Sequence, residues 1–292
     1  MALRHPEVVV EAITVVGGNV PVAQGVQNAL YTVERCQRAV PVHRGCAQPL
    51  TRSLVTVEEI HGSDGLGDVG LPLRDRQPAP TPASAAIQAV VDRVGPDLTL
   101  VTLGPLTNIA MALLADPTLA SRVGRCVVMG GTGRGPGNVT PAAEYNIWVD
   151  PEAAAIVLAA GLPLTLVGWD VAARRAIFDE AAGAALRALG TPLAAFCVDI
   201  QRQQVAFNTA QSGRAVFTLP DPITMAVALD PAVATESEDR YVAVETAGVV
   251  SRGQTVVDHE GIAGRSPNCR VVFDADRDRF LGLLRAALTA SL

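Results

Sequence analysis

No stretch of the 292 residues supplies the roughly 18 consecutive apolar residues that a membrane-spanning helix needs. Met1 leads into Ala2-Leu3-Arg4-His5-Pro6 rather than a basic segment and an apolar signal core. A soluble, untargeted chain with no membrane partner is therefore expected. Positive charge is also scarce: 23 Lys and Arg stand against 29 Asp and Glu, for a net charge of -6. Without a basic field to hold a phosphate backbone, no nucleic-acid partner is expected, and a small neutral or cationic ligand fits better. The five cysteines, Cys36, Cys46, Cys126, Cys197 and Cys269, form no CxxC pair. They read as buried free thiols, which points to a reducing cytoplasm. Neither a Walker loop nor a GxGxxG fingerprint occurs, which argues against a nucleotide-dependent transferase or dehydrogenase.

What the chain has is apolar bulk. Hydrophobic residues make up 49% of it, enough for one large core and a single domain over residues 1–292. Short β-branched runs alternate with Ala/Leu-rich segments of helical period, the pattern of strand–helix units feeding a parallel sheet. Strands are expected at Val8–Val16, Leu98–Leu103, Arg125–Met129, Leu164–Val167 and Tyr241–Glu245. Helices are expected at about Val22–Cys36, Leu106–Ala115, Pro151–Ala160 and Arg277–Leu288. The fold class is thus α/β: an open, mostly parallel central sheet with helices on both faces and a Rossmann-type core. Gly104-Pro105 before Thr107-Asn108, and Asp150-Pro151-Glu152, are helix-start signals. Both put loops at carboxyl ends of strands, where open α/β sheets bind ligands. The Pro-rich stretch from Leu71 to Ser84 reads as a surface excursion.

The chemistry concentrates after the third of these strands, where residues 127–151 read VVMGGTGRGPGNVTPAAEYNIWVDP. Its loop presents Asn138, Glu144 and Asn146 among small and aromatic residues. Two amides and a carboxylate offer the mixed donors and acceptors that a sugar with several hydroxyls demands. The competing reading is a Gly-rich turn whose Asn and Glu side chains only satisfy their own backbone.

With its neighbours, this loop resembles the signature of the inosine-uridine preferring nucleoside hydrolases. The agreement runs through ITVVGGNV around Asn19, HGSDGLGDVGLP from His61, LVTLGPLTNIAMAL from Leu100, LPDPITMAVALDP from Leu219 and TVVDHEGIAGRSPNCRV from Thr255. The resemblance implies hydrolysis of the N-glycosidic bond of ribonucleosides to ribose and a free base, with one Ca²⁺ activating the attacking water. It implies roles residue by residue. Asp221 and the backbone carbonyl of Leu103 match metal ligands. Asn19, Met129, Asn138, Glu144 and Asn146 match positions around the sugar, Tyr145 an aromatic place in the same loop, and His61 a histidine beside the nucleobase. A dimer or tetramer of identical chains is implied as well.

The chain departs from the family pattern at two places. The family's opening strand and DxDxxxDD loop, which carries the catalytic base and further metal ligands, has no counterpart here, and Met1–His5 reads as the last turn of the following helix, so the chain is expected to be N-terminally truncated. One carboxylate and one carbonyl fall short of the roughly 6 to 8 oxygens that Ca²⁺ takes. Weak calcium binding is expected, and an impaired nucleoside- or ribose-binding protein is the alternative function. The second departure is Pro220, where many relatives carry a histidine that protonates the leaving base, so His61, Tyr145 and Trp169 become the candidates for that contact.

Overall fold

The computed structural model describes residues 1–290. Its strands are β1 (Ile13–Val15), β2 (Val42–Arg44), β3 (Thr99–Thr102), β4 (Arg125–Met129), β5 (Leu164–Val167), β6 (Ile177–Phe178), β7 (Phe217–Thr218), β8 (Ala234–Val244), β9 (Thr255–Asp258) and β10 (Cys269–Ala275). Six of them form one sheet in the order β3-β4-β5-β10-β8-β9. The first four are parallel, and β8 and β9 close the far side antiparallel. β1 and β2 pair in parallel with each other, from Ile13 opposite Val42 to Val15 opposite Arg44, without joining β3. The mostly parallel α/β architecture read from the sequence is the observed one.

Alternation along the strands explains why both faces are covered. Cys126, Val128, Leu164, Leu166, Val271 and Phe273 point to one side, into a core shared with the helices Thr107–Ala115 and Pro151–Ala159. Val127, Val167 and Val272 point to the other, against the helices Trp169–Arg175, Pro220–Leu229 and Arg277–Thr289. Since successive strand residues face opposite ways, a strand buried on both sides must be apolar throughout, as β4 is from Cys126 to Met129.

Several elements differ from expectation. The apolar run Val8–Val16 forms a strand only at Ile13–Val15, and Val9 is 80% exposed, because the residues before Ile13 have no neighbouring strand to pair with. Tyr241–Val244 is the end of an eleven-residue strand whose earlier part is charged on its exposed face. β2, β6, β7, β9 and β10 lie outside the expected strands, and among the helices outside the expected ones is Ala83–Val94, which buries Ala83, Ala86, Ile87 and Val91 at helical spacing. Cys36, Cys126 and Cys269 are buried free thiols, with burial pushing Cys126 and Cys269 up to about 12. Cys46 and Cys197 are instead partly exposed. No helix among the described residues is long and apolar enough to cross a membrane.

Candidate active site

The loops at the carboxyl ends of β3, β4 and β5 meet above the sheet. After Met129 the chain turns through Gly130 and Gly131; Gly131 has φ +61°, and a Cβ there would lie 2.3 Å from the Thr255 side chain, so only glycine fits. The following residues are gripped from two further sides. Thr255 Oγ1 accepts from the Thr132 N–H and donates to the Thr132 carbonyl, both at 2.8 Å, and Asp170 accepts from the Gly133 and Arg134 N–H groups at 3.0 Å.

Glu144 closes the loop and caps the helix Tyr145–Val149. It is 2% exposed and accepts backbone N–H groups from Gly131 at 2.9 Å, Asn146 at 3.0 Å and Ile147 at 3.3 Å. Asn138 Oδ1 accepts the Tyr145 N–H at 2.9 Å, and Asn146 Nδ2 donates to the Met129 carbonyl at 3.2 Å and lies 3.1 Å from its sulfur. These bonds bias the polarity that remains: Asn138 keeps its amide hydrogens and one lone pair of Oδ1, and Asn146, with Nδ2 turned to Met129, keeps its Oδ1. The Gly-rich-turn reading holds in that the side chains do satisfy backbone, and they also leave donors and acceptors unused.

Asp221 stands in the first turn of the helix Pro220–Leu229, which packs on β3 and β4. Burial first, and the charge of Glu144 second, push the Asp221 carboxyl well above its usual range. Burial also raises Glu144, although its three backbone donors oppose the rise. Two carboxyl groups close enough to affect each other, Glu144 buried and Asp221 partly exposed, make a space that favours a cation.

Asn19 and His61 belong to a different segment. Asn19 is exposed and its carbonyl accepts from the Val57 N–H at 3.1 Å; His61 ends the short helix Glu58–His61, with burial lowering its pKa against the opposing charge of Glu59. That segment is tied to the loop after β4 by the Tyr145 hydroxyl, which donates to the Val55 carbonyl at 2.8 Å, and by a small apolar cluster of Val57, Tyr145 and Val149 with Leu54, Ile60, Val139 and Trp148. The phenol proton of Tyr145 is therefore already placed, which removes Tyr145 from the groups suited to protonate a leaving base. Thr255 and Asp170, which hold the loop, carry no role of their own in the sequence reading: Thr255 only opens the motif TVVDHEGIAGRSPNCRV, and Asp170 is a lone acidic residue between Trp169 and Val171.

Among the described residues, no group of three or more His, Cys, Asp or Glu converges in a way that could hold a metal ion. Asp221 and the Leu103 carbonyl, expected as ligands, supply at most three oxygens where Ca²⁺ takes roughly 6 to 8. These donors alone do not make a complete calcium shell.

A family model described as inosine-uridine preferring nucleoside hydrolase matches residues 1–282. The pyrimidine-specific ribonucleoside hydrolase RihA of Enterobacter sp. (strain 638) is 37% identical over 290 residues, covering 99% of this chain and 92% of that protein. Among solved structures, the plant nucleoside hydrolase PpNRh1 superposes with a TM-score of 0.92 at 32% identity, over 99% of this chain and 93% of the other. A purine-preferring ribonucleoside hydrolase from Gardnerella vaginalis gives 0.90 at 31% identity, over 99% and 92%.

Proposed function

The chain belongs to the inosine-uridine preferring nucleoside hydrolase family, and from that membership we propose how its own residues serve the N-glycosidic hydrolysis of ribonucleosides. The observation that carries the proposal is the fixed polarity of the loop after β4. The Asn138 amide donates to one ribose hydroxyl, the Asn146 carbonyl accepts from another, and the remaining lone pair on Glu144 Oε1 accepts a third. A 5′-phosphate would meet Glu144 and Asp221, so nucleosides are favoured over nucleotides.

Cleavage sends the bonding pair of the C–N bond to the base and leaves an oxocarbenium-like sugar, which water then attacks. Glu144 and Asp221 stabilise that cation from a site poor in solvent, where a fixed charge acts strongly. The base gains a proton overall, and Pro220 has none to give. His61, kept neutral by burial, is the residue proposed to meet the base. No step is routed through Ca²⁺, because the described residues do not complete its shell; Asp221 and Leu103 are proposed as its contacts where further oxygens are supplied. A homo-oligomer is proposed on the strength of the family resemblance, and a reducing cytoplasm on the five free thiols.

The test is release of ribose from inosine and from uridine, measured with and without added Ca²⁺ and after EDTA. Ribose release that Asp221→Asn and Glu144→Gln reduce by about 100-fold or more is expected, the scale of losing a preorganised charge. Nucleoside binding without release would make the chain a binding protein instead.

A further inference from the structure

A buried carboxylate beneath the sugar loop takes no part in the chemistry above. Asp150 is 0% exposed, lies between the helices Tyr145–Val149 and Pro151–Ala159, and caps the second of them through the Ala153 N–H at 3.1 Å. A cap needs one oxygen only. The other accepts the Thr107 hydroxyl at 2.6 Å and the Leu50 N–H at 3.0 Å. Thr107 is itself 2% exposed and opens the helix that follows the Leu103–Pro105 turn; its neighbour Asn108, 5% exposed, accepts the Cys46 N–H at 2.9 Å and donates to the Val15 carbonyl at 3.2 Å. Leu50 lies in the segment that runs on to Val55, the residue holding the Tyr145 hydroxyl.

Through one side chain, then, the residue that ends the helix carrying Asn146 is bonded to the next helix, to the first residue of the helix after the Leu103–Pro105 turn and to the segment that leads toward His61. We propose that Asp150 is a positioning residue: with Thr107, it fixes the sugar-binding helix Tyr145–Val149 against the β3 turn, so that the donor of Asn138 and the acceptor of Asn146 are set before ribose arrives. The assignment rests on the ribose reading of the loop. A buried acceptor holding three donors resists displacement far more than a cap in solvent, since each donor it releases would be left without water. Asp116 supplies the contrast. It caps the turn Pro117–Arg122 and accepts from Thr118, Gln88 and Arg122, but it holds together surface elements away from the loop.

Asp150→Asn keeps the shape but replaces an acceptor with a donor facing N–H groups; Thr107→Val removes the hydroxyl, and Thr107→Ser retains it. Ribose and inosine affinities by calorimetry, thermal unfolding, and amide hydrogen exchange over residues 145–149 are measured on these and on Asp116→Asn. Asp150→Asn and Thr107→Val are expected to weaken ribose binding about ten-fold, as for a lost charge-assisted hydrogen bond, and to speed exchange in the ligand-free helix. Thr107→Ser should behave as the parent, and the double variant should be no worse for ribose than Asp150→Asn alone. Asp116→Asn should lower thermal stability and leave ribose affinity unchanged. Unaltered exchange over residues 145–149 in Asp150→Asn, or a ribose loss in Asp116→Asn equal to that in Asp150→Asn, overturns the positioning role. Absence of ribose and inosine binding by the parent chain overturns the ribose reading itself, whatever the exchange shows.

Discussion

Replacing Glu144 tests whether the loop after β4 is organised by one carboxylate. In Glu144→Gln the side chain keeps its volume and one oxygen. That oxygen can take the place of Oε2, which serves both Gly131 and Ile147, leaving the Asn146 N–H against an amide donor. One buried donor without a partner costs about 1–3 kcal/mol. In Glu144→Ala all three N–H groups lose their acceptor and the helix loses its cap. The cap alone is worth about 1 kcal/mol, and with water entering the vacated space to satisfy some donors the total comes to about 3–5 kcal/mol. Both substitutions also relieve the cost of burying a carboxylate, so these figures are upper values. Urea unfolding of the parent and both variants at pH 8 reads the differences directly, and calorimetry with ribose reads the site. The expected order is parent, Gln, Ala in stability, with ribose binding reduced in both variants. A Glu144→Ala chain within about 0.5 kcal/mol of the parent, the range of an ordinary surface substitution, would refute the claim that this side chain organises the loop.

Three other perturbations check separate links. Thr255→Val is nearly isosteric but leaves both backbone groups of Thr132 unpaired; a loss of about 2–4 kcal/mol is expected from two buried orphans, Thr255→Ser should recover most of it, and denaturant unfolding measures both. His61 has its pKa lowered by burial, so the folded state holds its proton less tightly than the unfolded chain does. Its contribution to stability is therefore present above the unfolded value of about 6.5 and lost as pH falls through the lower folded value. Unfolding curves between pH 8 and pH 5 should show a smaller acid loss in His61→Gln than in the parent, and equal losses would remove His61 as the cause. Because Pro220 cannot protonate a departing base, a riboside whose leaving group needs no proton, such as p-nitrophenyl riboside, should be cleaved faster than inosine. Pro220→His should narrow that gap by raising kcat/KM for inosine alone, and an equal rise for both substrates would contradict the assignment.

The sequence by itself determined the fold class, because strands buried on both faces must be continuously apolar and the helices between them must carry a 3.6-residue period. Runs such as Arg125–Met129 and the helix starts at Thr107 and Asp150 record this directly. It also marked Asn138, Glu144 and Asn146, since polar residues crowded among glycines at the end of such a strand stand out. The edges were less legible. Val8–Val16 looks like one long strand, but strand formation needs a partner, and pairing is a long-range matter that local composition does not contain. Tertiary structure alone decided which polar atoms of these residues are already used. An asparagine in a sequence is both donor and acceptor; only the Tyr145 N–H on Asn138 Oδ1 and the Met129 carbonyl against Asn146 Nδ2 bias the first toward donating and the second toward accepting. It alone brought Thr255, Asp170 and Thr107 to the loop from distant positions, because a hydrogen bond across 123 residues of chain leaves no local pattern by which to be found.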